Sequence, residues 1–189
     1  MKNLKDFIFV KNCIPKKVCD DLLNQIKKQK WSKHLWYTNS DKTLKSLDED
    51  ALILYSLKEE QDILLPFVRK SLLEYQMKMA FKDTNELKAP FVETISPIRF
   101  NEYNKNQTMK THYDIIKSLF DGVHKGVPQI SIVGLLNDDF KGGKFLVRDE
   151  EIKLKKGDII FFPSSFLYPH TVTKVTTKNP RYSFVCWAF

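Results

Sequence analysis

From residue 90 to its C-terminus the chain is cut into short apolar runs, each closed by a turn signal. That rhythm leaves few folds open. The runs fall at residues 91–103, 108–114, 129–136, 144–147, 151–154, 159–162, 170–175 and 181–189. Asn137-Asp138-Asp139, Gly142-Gly143, Lys156-Gly157-Asp158 and Pro163-Ser164-Ser165 stand between them, residues that supply the tight backbone a turn needs. Pro97 has no N–H to give a ladder, so the first run is expected at a sheet edge or bulge. The run at 129–136 (QISIVGLL) carries no alternation and predicts a strand buried on both faces. Strands about eight to twelve residues apart predict a sandwich or barrel.

The first ninety residues read differently. Residues 6–10 form a short candidate strand. Pro15 then opens a helix that places Val18, Leu22, Leu23 and Ile26 on one face. A second amphipathic helix is predicted over 59–81, from Ile63, Leu64, Phe67, Leu72, Tyr75 and Met79. Between them lies a polar stretch, 32–50, interrupted by Trp36 and Tyr37 and read as a lid over a site. No repeat or linker divides the chain. The expectation is one α+β domain, residues 1–189: a β jelly roll (double-stranded β-helix) over 91–189, with a mainly helical, substrate-side layer from 1–90 packed on one sheet.

Composition excludes several classes. Hydrophobic residues are 42% of 189, with 14 Phe, so the chain has a core to bury and is not disordered. Its uncharged stretch at 159–169 is far short of the ~20 residues of a spanning helix, and the apolar run before Lys11 is too short for a signal-peptide core. A soluble cytoplasmic protein without a membrane partner is expected. Cys13, Cys19 and Cys186 match no zinc spacing and read as reduced thiols. The net charge of +8 is spread evenly over both halves, which suits an acidic partner without choosing one.

The chemistry begins with THYD. His112 and Asp114 are two residues apart on a segment read as a strand, so both side chains share a face. An imidazole and a carboxylate turned into a barrel are costly unless something pairs with them, and a divalent metal is the natural partner. Two imidazoles and one carboxylate on one face is the donor set of non-haem Fe(II) oxygenases. His170, opening a later strand, is the candidate third ligand. Eleven residues on, RYSFVCWAF puts Arg181, Ser183, Val185 and Trp187 on one face. A planar guanidinium beside a hydroxyl suits a small dicarboxylate.

Taken together, RFNEYNKNQTMKTHYD, SIVGLLNDDFKGGKFLV, LKKGDIIFFPSSFLYPHTV and the terminal RYSF, in that order, resemble the Fe(II)- and 2-oxoglutarate-dependent dioxygenases of the prolyl 4-hydroxylase-like branch. The family pattern is H-x-D, a distant His, then a basic residue ten or eleven further on followed by a hydroxyl residue. His112, Asp114, His170, Arg181 and Ser183 fill those places. The resemblance implies iron on His112, Asp114 and His170, with 2-oxoglutarate held by Arg181, Ser183 and Tyr103. It also implies hydroxylation of an unactivated C–H, with succinate and CO2 as co-products and ascorbate as a supporting reductant. The expected substrate is a residue, proline among the candidates, of a peptide or protein. Lys144 stands where the family often has a glutamate, and Asp114 argues against the halogenase variant. Ile132, Leu135, Phe161, Val172, Val185 and Trp187 are the expected apolar walls around the reacting centre.

Two other readings stay open. The basic charge with Trp36 and Tyr37 suits a nucleic-acid-directed oxygenase, and a jelly-roll binding module without catalysis needs only the fold. His34 and His124 read as solvent-exposed loop residues, and Phe161, Phe162 and Phe166 as core and pocket wall.

Overall fold

The computed structural model describes residues 3–38, 43–79, 92, 94–115 and 127–189. His124 and the start of the run at 91–103 lie outside the described residues.

After a single 3-10 turn at Leu4–Phe7, the first strand β1 (Phe9–Asn12) leads to helix α1 (Lys16–Ile26). Pro15 caps α1, as its fixed φ favours, and Cys19, Leu22, Leu23 and Ile26 form the buried stripe. Four short strands follow: β2 (Ser32–Lys33), β3 (Trp36–Thr38), β4 (Thr43–Lys45) and β5 (Leu52–Tyr55). Helix α2 (Lys58–Met79) closes this half. Its start is held by Glu60, which is buried. One carboxylate oxygen accepts the Leu57 N–H at 2.7 Å, and the other accepts from the Gln29 side chain at 2.6 Å beyond α1. The first half is thus less helical than its sequence reads. Runs as short as Leu52–Tyr55 give no periodic signal of their own and become strands by pairing with a later strand.

The second half supplies β6 (Arg99–Tyr103), β7 (Met109–His112), β8 (Ile130–Leu135), β9 (Phe145–Val147) and β10 (Glu150–Ile152). It ends with β11 (Asp158–Pro163), β12 (His170–Val172) and β13 (Arg181–Ala188). The larger sheet runs β1-β11-β8-β13-β6-β5-β2, the smaller β10-β9-β12-β7, and β3-β4 stand apart as a hairpin. Two largely antiparallel sheets with helices on the outer face of one is the expected jelly roll. β6 lies between β13 and β5, in the sheet interior and not at an edge. Pro97 is accommodated because the ladder begins only at Arg99.

Strand alternation divides the core in two. Ile132, Ile159, Phe161, Phe184 and Cys186 face the helices, where the Phe161 and Tyr75 rings stack at 5.8 Å. Val133, Ile160, Phe162 and Val185 face the smaller sheet. Ile132 and Phe161 therefore cannot wall a site inside the barrel. Their odd and even neighbours do so, since a strand turns successive side chains to opposite faces. Phe166, expected in the core, is 66% exposed on the turn after β11. No described helix is long and apolar enough to cross a membrane.

Candidate metal and co-substrate site

His170 and His112 are direct partners across the β12–β7 ladder, so their rings stand on one face with centroids 4.3 Å apart. Asp114 lies just past the end of β7 and returns toward them. Its two oxygens are 3.6 Å from His112 Nε2 and 3.6 Å from His170 Nε2. One ligand atom from each residue falls within 4.8 Å of the others.

The outer nitrogens fix the tautomers. His112 Nδ1 is 2.7 Å from the Lys110 carbonyl and His170 Nδ1 is 3.2 Å from the Tyr168 carbonyl. A carbonyl only accepts, so each Nδ1 carries the proton and each Nε2 turns a lone pair inward. Burial, with His170 facing it, holds the His112 pKa down at about 4, which keeps that imidazole neutral at physiological pH. Burial would push the Asp114 carboxyl up. The two imidazoles and the Ser131 hydroxyl, which donates to it at 2.5 Å, outweigh burial and hold it below the usual carboxylate range. Two inward lone pairs and one buried carboxylate converge on a common point. That donor set fits a ferrous ion.

A second group faces the same cavity from the larger sheet. Arg181 is 1% exposed, opposite Tyr103 in the β13–β6 register. Its Nη1 donates to Ser183 Oγ at 2.8 Å, its Cζ lies 5.1 Å from the Tyr103 ring centroid, and its Nε has no partner. No described carboxylate pairs with it. Gly143 makes the room: φ is +56°, and a Cβ there would come within 2.9 Å of Arg181 Cδ. A buried cation with an idle donor fits the far carboxylate of a dicarboxylic acid. Lys144, next in sequence, is engaged with Glu151 at 2.8 Å.

Val172, Val185 and Trp187 line the cavity around the triad, as expected, joined by Val133 and Met109; Leu135 lines a neighbouring cavity that shares Arg181. Phe162 packs edge-on to His170 at 4.9 Å.

Sequence reasoning placed His34 in solvent. It is buried, and its ring meets Trp36 edge-on at 4.6 Å; Trp36 in turn meets His112 at 5.3 Å. Trp36, from the 32–50 stretch, thus builds part of the wall beside His112. Trp36 is committed there, donating its indole N–H to Asp50 at 3.0 Å, and is no free stacking platform. Arg99, Asn101 and Ser131 also went unremarked. The period of two from Tyr103 marks Asn101 and Arg99 as its companions on one face.

Residues 98–189, just under half of the chain, match the family model of the 2OG-Fe(II) oxygenase superfamily. Comparison with curated proteins finds no match. Among solved structures, the chain is similar to the viral collagen prolyl hydroxylase of Paramecium Bursaria Chlorella virus-1 in its 2OG complex (TM-score 0.67, 16% identity, 96% of this chain and 94% of that one). It is also similar to a prolyl-4-hydroxylase of Pseudomonas putida (0.68, 14%, 96% and 92%). A third likeness is a Trichoplax adhaerens prolyl hydroxylase in complex with a hypoxia inducible factor peptide fragment (0.67, 13%, 97% and 84%). At such identities these likenesses establish the fold, a double-stranded β-helix.

Proposed function

We propose that this chain, whose residues 98–189 match the 2OG-Fe(II) oxygenase superfamily model, is an Fe(II)- and 2-oxoglutarate-dependent enzyme that hydroxylates a residue of a peptide or protein, proline first among the candidates. The observation that carries the reading is the His112–Asp114–His170 convergence on one side of a buried, unpaired Arg181.

In this reading His112 Nε2, His170 Nε2 and an Asp114 oxygen would hold the ferrous ion. Bound there, the ion would supply dioxygen activation coupled to oxidative decarboxylation of the co-substrate. The chain's own work is positioning. Lys110 and Tyr168 carbonyls keep both Nδ1 atoms protonated, and Ser131 fixes the orientation of the carboxylate between the two imidazoles. Arg181 takes the far carboxylate of 2-oxoglutarate through its idle Nε edge. Ser183 accepts from Arg181 and so keeps its own proton for the Tyr103 oxygen. Tyr103 is thereby left free to donate to the same carboxylate. Val133, Val172, Val185 and Phe162 keep bulk water from the reacting centre.

The peptide substrate is supported by the solved structures of like fold, which are prolyl hydroxylases, one with a peptide fragment bound. The test is incubation with Fe(II), 2-oxoglutarate and proline-containing peptides, read by mass spectrometry. One added oxygen with matching succinate is expected. Succinate formation that no peptide stimulates would count against a peptide substrate.

A further inference from the structure

The site holds a second arginine that the co-substrate does not use. Arg99 opens β6 and lies opposite Val185, four pairs along the ladder from Tyr103 and Arg181. Ser131, which holds Asp114, pairs with Trp187 on β13. Arg99 and Trp187 therefore stand at the Asp114 end of the floor and Arg181 at the other. The Arg99 guanidinium lies 5.4 Å above the Trp187 ring and bonds the Tyr55 side chain, yet its buried Nε has no partner. No described carboxylate is within ion-pair distance of it. Asn101, the next residue on that face, is 4% exposed, and its buried Oδ1 is unpartnered as well. Both line the cavity that contains His112, Asp114 and His170.

An aromatic face and one neutral hydroxyl leave a half-buried guanidinium un-neutralised, with its Nε shut off from water. Asp114 is the nearest negative group, but it is turned to the two imidazoles and to Ser131. Once a metal is bound its charge is spent there. The idle Nε needs an acceptor and the idle Oδ1 a donor. Together they ask for an anion with an N–H beside it, the arrangement of an acidic residue or chain end in a peptide. The net charge of +8 favours approach of such a ligand.

Resting on the peptide-hydroxylase reading, we infer that Arg99, with Asn101, is the specificity-determining contact for a substrate that carries a carboxylate next to the oxidised residue. The carboxylate has two possible sources, an Asp or Glu side chain or a free chain end.

The full chain, loaded with Fe(II) and 2-oxoglutarate, is given short degenerate proline-containing peptide pools with and without Asp and Glu, each as the free acid and as the C-terminal amide. Oxidised products are counted by mass spectrometry. Oxidation of the acidic pools about tenfold above the neutral ones assigns a side-chain carboxylate, and the same preference for free acids over amides assigns a chain end. Arg99→Gln erases that preference while 2-oxoglutarate affinity, by calorimetry, stays at the wild-type level. Equal oxidation of all pools overturns the inference. So does an Arg99→Gln variant that keeps the preference, or one that only loses metal affinity, which would make Arg99 a positioning group for Asp114. If the wild type oxidises no pool, the peptide reading has failed and the thermal midpoint of Arg99→Met decides for Arg99. A midpoint at or above wild type marks an arginine kept for a ligand, whereas a lower one marks a structural arginine and overturns the inference.

Discussion

Arg99 and Arg181 project from the same face of the β6–β13 pair, four positions apart, with the Asp114 end of the triad beside the first and Tyr103 beside the second. At about 3.4 Å per residue their backbones are roughly 14 Å apart. A floor with a cation at each end can hold two acids at once without crossing their positions.

Ser131 holds the expected ligand Asp114 by donating its hydroxyl to the carboxylate oxygen that faces His170. Ser131→Ala is expected to lower metal affinity by about 10–100-fold while leaving the fold intact. Metal titration followed by calorimetry, beside a circular-dichroism melt, checks it. An unchanged affinity would remove Ser131 from the site.

Arg181 is the buried cation opposite Tyr103. Arg181→Met should cost about 2–5 kcal/mol of 2-oxoglutarate affinity, a loss of roughly thirtyfold or more. Gly143→Ala should weaken the same binding without touching the ligand, because a Cβ there intrudes on Arg181 Cδ and the backbone sits at φ +56°. Calorimetry on both variants checks the pair, and wild-type affinity in Gly143→Ala would contradict the packing argument.

His34 and His112 are both held at about 4 by burial, against an ordinary value of 6.5. As pH falls below 6.5 the unfolded chain takes up protons at these positions and the folded chain does not. Their contribution to stability is therefore complete above 6.5 and is lost as pH falls toward 4. The urea midpoint of metal-free protein should be lower near pH 5 than near pH 7.5. His34→Phe should flatten that slope, and a midpoint independent of pH across this window would contradict the burial of both rings.

The catalytic half was legible because its signals are local. His112 and Asp114 are two residues apart, Arg181 and Ser183 likewise, and turns punctuate every strand. The chain hid what depends on partners. Leu52–Tyr55 becomes a strand through β6, far away in sequence. His34 sits among polar residues and looks exposed until Trp36 folds it against His112. Ile132 and Phe161 were assigned to the pocket on hydrophobicity, although the parity of their strands turns them to the helices. Arg99 was legible in principle from its spacing to Tyr103. It passed unseen because a lone arginine at a strand start ordinarily reads as surface charge.

The most direct test of the metal site is calorimetric titration of 2-oxoglutarate into the protein under oxygen-free conditions, with and without Fe(II). Wild type should bind about tenfold or more tightly when iron is present, and His112→Ala and Asp114→Ala should lose that gain. Iron-dependent binding of equal strength in both variants would show that the ion lies elsewhere.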